Sequence, residues 1–272
     1  MKNTWLHRYC LLLASATLLM VVAGSLVQGS GIEKLHRVLG MIVGTIAIGL
    51  VVWLWIAEPR RWLRWVGVTA LLLVVLQGAM GMMSARVEFP AGVKILHACL
   101  AQTFFAVAAL LALFTSGGWK ESAGKIEDSG WPPLRYLGMA APVGVLGQAA
   151  LGAGYRHGAL GVMPHVAGAL AVAGLVMMLS LIVLTQHSGS KSVARPAKSL
   201  LIITLHQIPL GVLAYFLRIS FEGDGIYGSL ATGAVTAHVA VGALMVAWSA
   251  VTAAQIHRAT GSAAQDNTAG VH

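Results

Sequence analysis

Eight apolar runs of about 18 residues or more, with charge absent or confined to their ends, constrain this chain more than any other feature. They cover approximately Tyr9–Val27, Leu35–Ile56, Leu63–Met83, Gly92–Phe114, Leu137–Gly154, Ala159–Leu184, Leu200–Leu217 and Leu230–Ile256. A helix of that length crosses the hydrocarbon of a bilayer with its backbone polar groups paired internally. Charged residues make up 10% of the chain, where a soluble domain carries roughly a quarter. The expected fold is therefore an all-α polytopic membrane protein of eight transmembrane helices. Pro142 interrupts the fifth run, which neighbouring helices tolerate by satisfying the freed carbonyl. Lys2 and Arg8 precede the first run as they would in a secretory signal. That run exceeds the usual core of about 7–15 residues and no A-x-A site follows, so an uncleaved helix is expected.

The net charge of +9 suggests nucleic acid as a partner, but its distribution points elsewhere. Six of the 18 Lys and Arg residues (Lys34, Arg37, Arg86, Lys94, Arg156 and Arg218) fall on one side of the expected spans, and the other twelve fall on the opposite side. By the positive-inside rule both termini are cytoplasmic. The charge is thus a topology signal, the partner it implies is membrane lipid rather than nucleic acid, and the expected location is the cell's inner (plasma) membrane. Cys10 and Cys99 both lie in apolar stretches, with no disulfide framework or zinc motif. The links Ser116–Pro133 and Ser188–Ala197 are expected to be cytoplasmic loops, and the polar stretch Thr260–His272 a disordered tail.

An internal repeat organises the spans. Leu76-Gln77-Gly78-Ala79-Met80-Gly81 in the third matches His206-Gln207-Ile208-Pro209-Leu210-Gly211 in the seventh, sharing Gln-x-x-x-Gly. The fifth carries the same pattern as Gln148 and Gly152. The span after each such segment carries a histidine near its start: His97, His165 and His238, with His36 in the same place on the second span. The chain reads as two pseudo-symmetric four-helix bundles in parallel orientation, related by an axis along the membrane normal. The corresponding divisions are 1–115, a cytoplasmic linker 116–133, 134–258, and the tail 259–272. Small residues that let helices approach account for the glycines; they do not account for the histidines.

Each of these four histidines stands about 17–20 residues, or roughly 26–30 Å, from the inner end of its span. All four imidazoles are expected at the outer edge of the hydrocarbon, on alternate helices. An ionisable side chain within a span is costly and marks function, although any one of the four could be a hydrogen-bonded structural histidine. Zinc or copper would favour clustered carboxylates or thiolates beside them. Haem iron takes one axial histidine from each face of a flat macrocycle. Two sites follow, with His36 and His97 as ligands in one half and His165 and His238 in the other. The haem propionates would need cations at that level, and Arg37, Arg86, Lys94, Arg156 and Arg218 lie on the outer side, with His157 in the turn beside Arg156. Solvated loop charge is the plainer account of each cation. Arg37, next to His36, is the best candidate for a contact.

Gly24-Ser25-Leu26-Val27 followed by Ile32-Glu33-Lys34-Leu35-His36-Arg37 resembles the Glu-x-x-His-Arg signature of the haem A synthase family. Leu76-Gln77-Gly78, Leu96-His97-Ala98-Cys99-Leu100-Ala101-Gln102, Tyr155-Arg156-His157-Gly158 and Ala237-His238-Val239-Ala240-Val241-Gly242-Ala243 are similar to later segments of that family. The resemblance implies oxidation of the C8 methyl of haem O to the formyl group of haem A, for terminal oxidases. It implies a substrate haem between His36 and His97 and a resident haem b on His165 and His238. Glu33 would be the catalytic carboxylate. The implied partners are a haem O-producing farnesyltransferase and a haem-copper oxidase; a homo-oligomer is left open. The chain departs from many members in its first outer loop, which here is only Gln28–Ile32, and in having no cysteine pair there.

Glu33 also makes sense from the residues alone. Positions i and i+3 share a helical face, so its carboxylate could hydrogen-bond an axial histidine, relay protons or stabilise a charged intermediate. Capping a helix N-terminus is the simpler role. His206 falls in the inner half of its span and is expected to hydrogen-bond across helices or to line a proton or electron path. His7, His187, His257 and His272 are expected to be solvated. Two further classes compete with the oxidoreductase: a non-catalytic di-haem b-type electron carrier, and an assembly factor or transporter that binds no haem.

Overall fold

A computed structural model describes residues 4–27, 32–84, 86–120, 125–221 and 226–269. Residues 28–31 of the expected first outer loop and 270–272 of the expected tail lie outside the described residues. Among those described the secondary structure is helical throughout. The helices are α1 (Thr4–Leu26), α2 (Glu33–Ala57), α3 (Arg61–Met83), α4 (Ala91–Thr115), the short α5 (Gly117–Lys120), α6 (Leu134–Arg156), α7 (Val162–Gln186), α8 (Lys191–Ser220) and α9 (Ile226–Ala269). All but α5 are long and apolar enough to cross a membrane, which makes eight candidate spans. Large apolar side chains such as Leu72 and Leu170 stand exposed on the outside of the bundles; lipid, not water, is the solvent that accepts such a surface.

Local chemistry sets the ends. Pro59 keeps Glu58 extended (φ −104°, ψ 117°), which closes α2. The Asp128 carboxylate accepts the backbone N–H groups of Leu134 (2.5 Å) and Arg135 (3.2 Å), satisfying the free donors at the start of α6. Gly158, with φ of 71°, ends α6 in the left-handed conformation that glycine adopts without strain.

Two segments differ from the sequence reading. The stretch expected as a loop at Ser188–Ala197 is helical from Lys191 onward. Val193, Ala197 and Leu200, spaced four and three apart, are fully buried, so this turn is amphipathic and escapes a search for unbroken apolar runs. The stretch 259–269, expected to be a disordered tail, continues α9. Ala259 is fully buried, and its carbonyl accepts the N–H of Ile126 at 3.5 Å.

In the first half α1 packs on α2, α2 on α3, α3 on α4 and α4 back on α1; in the second, α6 on α7, α7 on α8, α8 on α9 and α9 back on α6. The helices thus close two four-membered rings in the same order. The rings meet where α4 and α1 lie against α9, and α4 against α6. Leu13, Leu50, Leu54, Leu63 and Leu111 fill the first core, and Val176, Leu179, Val183, Leu200 and Ile256 the second. Phe105, Ala243 and Ala247 join them. At the opposite end from the histidines, the buried Glu58 carboxylate holds Arg60 through two hydrogen bonds of 2.7 and 2.9 Å. Arg60 in turn donates to the Phe114 carbonyl at 3.0 Å, tying the α2–α3 turn to the end of α4.

Candidate functional site

His165, in the first turn of α7, and His238, well inside α9, meet across the second bundle. Their ring centroids are 6.2 Å apart and their planes stand at 89°. An iron–nitrogen bond of about 2 Å plus about 1.1 Å from nitrogen to ring centre, on each side of the iron, puts the centres of two axial imidazoles about 6.2 Å apart. The ring centres of the pair stand at that separation.

Glycine makes the seat for each ring. A Cβ at Gly152 of α6 would stand 2.8 Å from Cε1 of His165, and one at Gly211 of α8 would stand 2.7 Å from Cε1 of His238. In the first half a Cβ at Gly24 of α1 would lie 2.9 Å from Cε1 of His36. Each imidazole fills the space that a side chain would have occupied, so these glycines do more than let helix backbones approach. Gly81, at the fourth place in the repeat, has nothing within 4 Å of its Cβ position. His97 is therefore not seated like the other three, although it lies within electrostatic reach of His36 and His157.

The repeated glutamines reach the same histidines. The Nε2 groups of Gln77, Gln148 and Gln207 donate to the backbone carbonyls of His97, His165 and His238 at 2.8, 2.8 and 3.0 Å. These bonds, and the seating of the rings by Gly24, Gly152 and Gly211, were not anticipated from the sequence. The Gln-x-x-x-Gly spacing, which places both residues on one helical face, was the available signal. The Nδ1 atoms of His36 and His238 are buried with no hydrogen-bond partner among the described residues. A buried ring nitrogen without a partner is rare enough to single out these two rings.

The expected cations divide. Arg37 and Arg86 are exposed, as is Glu33 in the first turn of α2. Lys94 pairs with Glu88 at 3.8 Å. Arg156 donates to the Ser25 carbonyl at 2.5 Å, joining the end of α6 to the end of α1. Arg218, the fifth of these cations, lies over the Tyr155 ring at 5.3 Å. His157 caps α6, and burial first, then the positive charges of Arg156, Lys94 and Arg218, hold its imidazole below the usual histidine range. Lys94, Arg156 and Arg218 thus bring their positive charges together around His157.

Two other histidines depart from expectation. His206 is exposed, and its ring donates to the Ile202 carbonyl of its own helix at 2.8 Å, not across helices. His7 is half-buried, with Nδ1 on the Ala112 carbonyl at 3.0 Å, because α1 begins at Thr4 and carries it against the end of α4. Cys10 and Cys99 are both free thiols.

Residues 30–164 match the family model described as cytochrome oxidase assembly protein. None of the curated proteins matches the chain.

Proposed function

We infer, from the premise that this chain belongs to the cytochrome oxidase assembly protein family matched by its residues 30–164, the haem A synthase family, that it is a membrane haem oxidoreductase. Its reaction is the oxidation of the C8 methyl of haem O to the formyl group of haem A. The facing imidazoles of His165 and His238, 6.2 Å apart, carry this reading. They would hold a resident haem b, and His36 and His97 would flank the substrate haem. Iron held this way supplies one-electron chemistry.

The protein's own residues bind, orient and move protons. Gly152 and Gly211 admit the rings of His165 and His238 to the helix surfaces. Lys94, Arg156 and Arg218, gathered around His157, offer positive charge for propionates. Glu33, one helical turn from His36, gives or takes the proton that accompanies oxidation of the methyl carbon. We read the two rings of helices as halves related by an axis along the membrane normal, with both termini cytoplasmic and the histidines toward the outer face of the plasma membrane. A haem O-producing farnesyltransferase upstream and a haem-copper oxidase downstream are the partners this reaction calls for.

A di-haem electron carrier would require both halves to hold haem alike. The unlike setting of His97, with Gly81 empty beside it, favours the enzyme. Haem extracted from cells with and without the protein, and separated by chromatography, tests this. Haem A in place of haem O only when the protein is present is the expected result. Persistence of haem O beside a functional copy overturns it.

A further inference from the structure

Away from the histidines, the two bundles end in tryptophan and arginine. The exposed tryptophans are Trp5, Trp55, Trp62, Trp65 and Trp131, all at this end. None of the chain's eight tryptophans lies at the histidine end. Membrane proteins ordinarily carry such aromatic belts at both interfaces, so a one-sided belt calls for a reason of its own. Its densest part is the turn between α2 and α3. There the segment 58–64 holds three arginines, Arg60, Arg61 and Arg64, and one acid, Glu58.

The three arginines face different ways. Arg60 is turned inward, with Nε and Nη2 on the buried Glu58 carboxylate and Nη1 on the Phe114 carbonyl. Arg64 gives its Nε to the Glu58 backbone carbonyl at 2.6 Å, and its guanidinium lies over the Trp55 ring, 5.7 Å from the centroid. Arg61 is exposed, with no hydrogen-bond or ion-pair partner among the described residues. Trp55 meets Trp65 edge to face at 6.1 Å, and both indoles are exposed. Trp65, four residues after Arg61, lies on the same face of α3, one turn deeper into the span. A shelf results, with two guanidinium groups at the end of the spans and two indoles beneath them. The first turn of α3 contains no acid, so these charges meet no offsetting carboxylate in their own turn.

We propose that this shelf binds an anionic phospholipid, with its phosphate on Arg61 and Arg64 and its glycerol and first acyl carbons against Trp55 and Trp65. Charge and depth together select that occupant. Of the three guanidinium groups in the segment, the Glu58 carboxylate engages that of Arg60, and phosphate oxygens accept the paired N–H groups of the other two. A soluble phosphate would satisfy the arginines but leave Trp55, Trp65 and the exposed Ile56 between them and the hydrocarbon uncovered. A phospholipid brings charge and apolar chain to the two levels at once, and indoles settle at the headgroup level. The hold of Glu58 on Arg60 and Arg64 fixes the turn beforehand, so little ordering accompanies binding. The shelf lies at the far end of the spans from the histidines and is independent of the haem reading.

The test titrates the purified full-length protein in detergent with phosphatidylglycerol or phosphatidylcholine, counting bound lipid by native mass spectrometry and following the thermal midpoint. Wild type is expected to bind phosphatidylglycerol in preference and to gain thermal stability from it. Arg61→Gln with Arg64→Gln is expected to bind it roughly 25-fold more weakly, about fivefold for each basic side chain at a lipid surface. Arg61→Gln alone removes no contact within the protein, so it tests the shelf without disturbing the fold, and about a fivefold loss is expected. Arg195→Gln with Lys198→Gln removes as much charge from exposed positions of α8 at the same end and should change binding little. Unchanged binding in Arg61→Gln, or equal losses in the two double variants, overturns the shelf. Equal retention of phosphatidylcholine overturns the choice of an anionic lipid. Displacement of the lipid by inorganic phosphate alone, with the same rise in thermal midpoint, overturns the lipid in favour of a free-phosphate site.

Discussion

The imidazoles of His165 and His238 face each other across the second bundle, 6.2 Å between ring centroids and 89° between planes, although 73 residues separate them in sequence. Replacing either with alanine removes one of two opposed ligands. The expected outcome for His165→Ala or His238→Ala is loss of the resident haem and of its low-spin optical bands. Free imidazole added to His165→Ala should restore those bands by occupying the vacated position. Retention of the wild-type spectrum by either alanine variant would remove this pair from haem ligation.

The glycine seats give a sharper contrast. An added methyl at Gly152 or Gly211 falls 2.8 or 2.7 Å from a histidine carbon, inside van der Waals contact, while Gly81 has nothing within 4 Å. Overpacking of this kind costs about 1–3 kcal/mol, or roughly 5–150-fold in haem affinity. Gly152→Ala and Gly211→Ala should bind haem more weakly by that factor, and Gly81→Ala should match wild type. Equal affinities across the three, measured by haem titration, would reduce these glycines to ordinary helix-packing residues.

Glu33 stands exposed in the first turn of α2, three residues before His36. Glu33→Ala should keep haem binding at both sites and lower haem A formation by about 10²–10⁴-fold, the usual contribution of a positioned acid–base group. Glu33→Gln, which keeps the hydrogen-bonding capacity but not the ionisation, should resemble the alanine variant. Normal haem A content in cells carrying either variant would leave Glu33 as no more than a helix-capping carboxylate.

Much of this architecture is written in local chemistry. Eight spans follow from apolar runs because lipid leaves the backbone few alternatives, and the histidine repeat follows from spacing within those spans. The amphipathic opening of α8 was not legible, because Val193 and Ala197 are buried by their neighbours and not by hydropathy. Nor was the anchoring of His7 on the Ala112 carbonyl, a contact between residues 105 apart in sequence. The Gln-x-x-x-Gly motif was visible, but its roles depend on which way the facing histidine points. That is why Gly24, preceded by Met20 instead of glutamine, was quoted for its resemblance but not read as a seat, and why Gly81 shares the motif without the seat.

His157 offers a prediction with a definite sign. Its imidazole, held below the ordinary 6.5 by burial and by the charges of Arg156, Lys94 and Arg218, stays neutral in the folded protein where the unfolded chain already takes up a proton. Stability therefore falls as pH drops below 6.5, down to the folded-state value, and is constant with respect to this group above 6.5. His157→Gln should flatten that part of the profile of thermal midpoint against pH. Ring resonances of His157 in micelles should titrate below 6.5, and an anionic haem edge bound beside Arg156, Lys94 and Arg218 should move them upward by opposing the three positive charges. Titration of His157 at or above 6.5 in haem-free protein would show that Arg156, Lys94 and Arg218 do not act on it together, and the case for a propionate site at this end of α6 would fall with them.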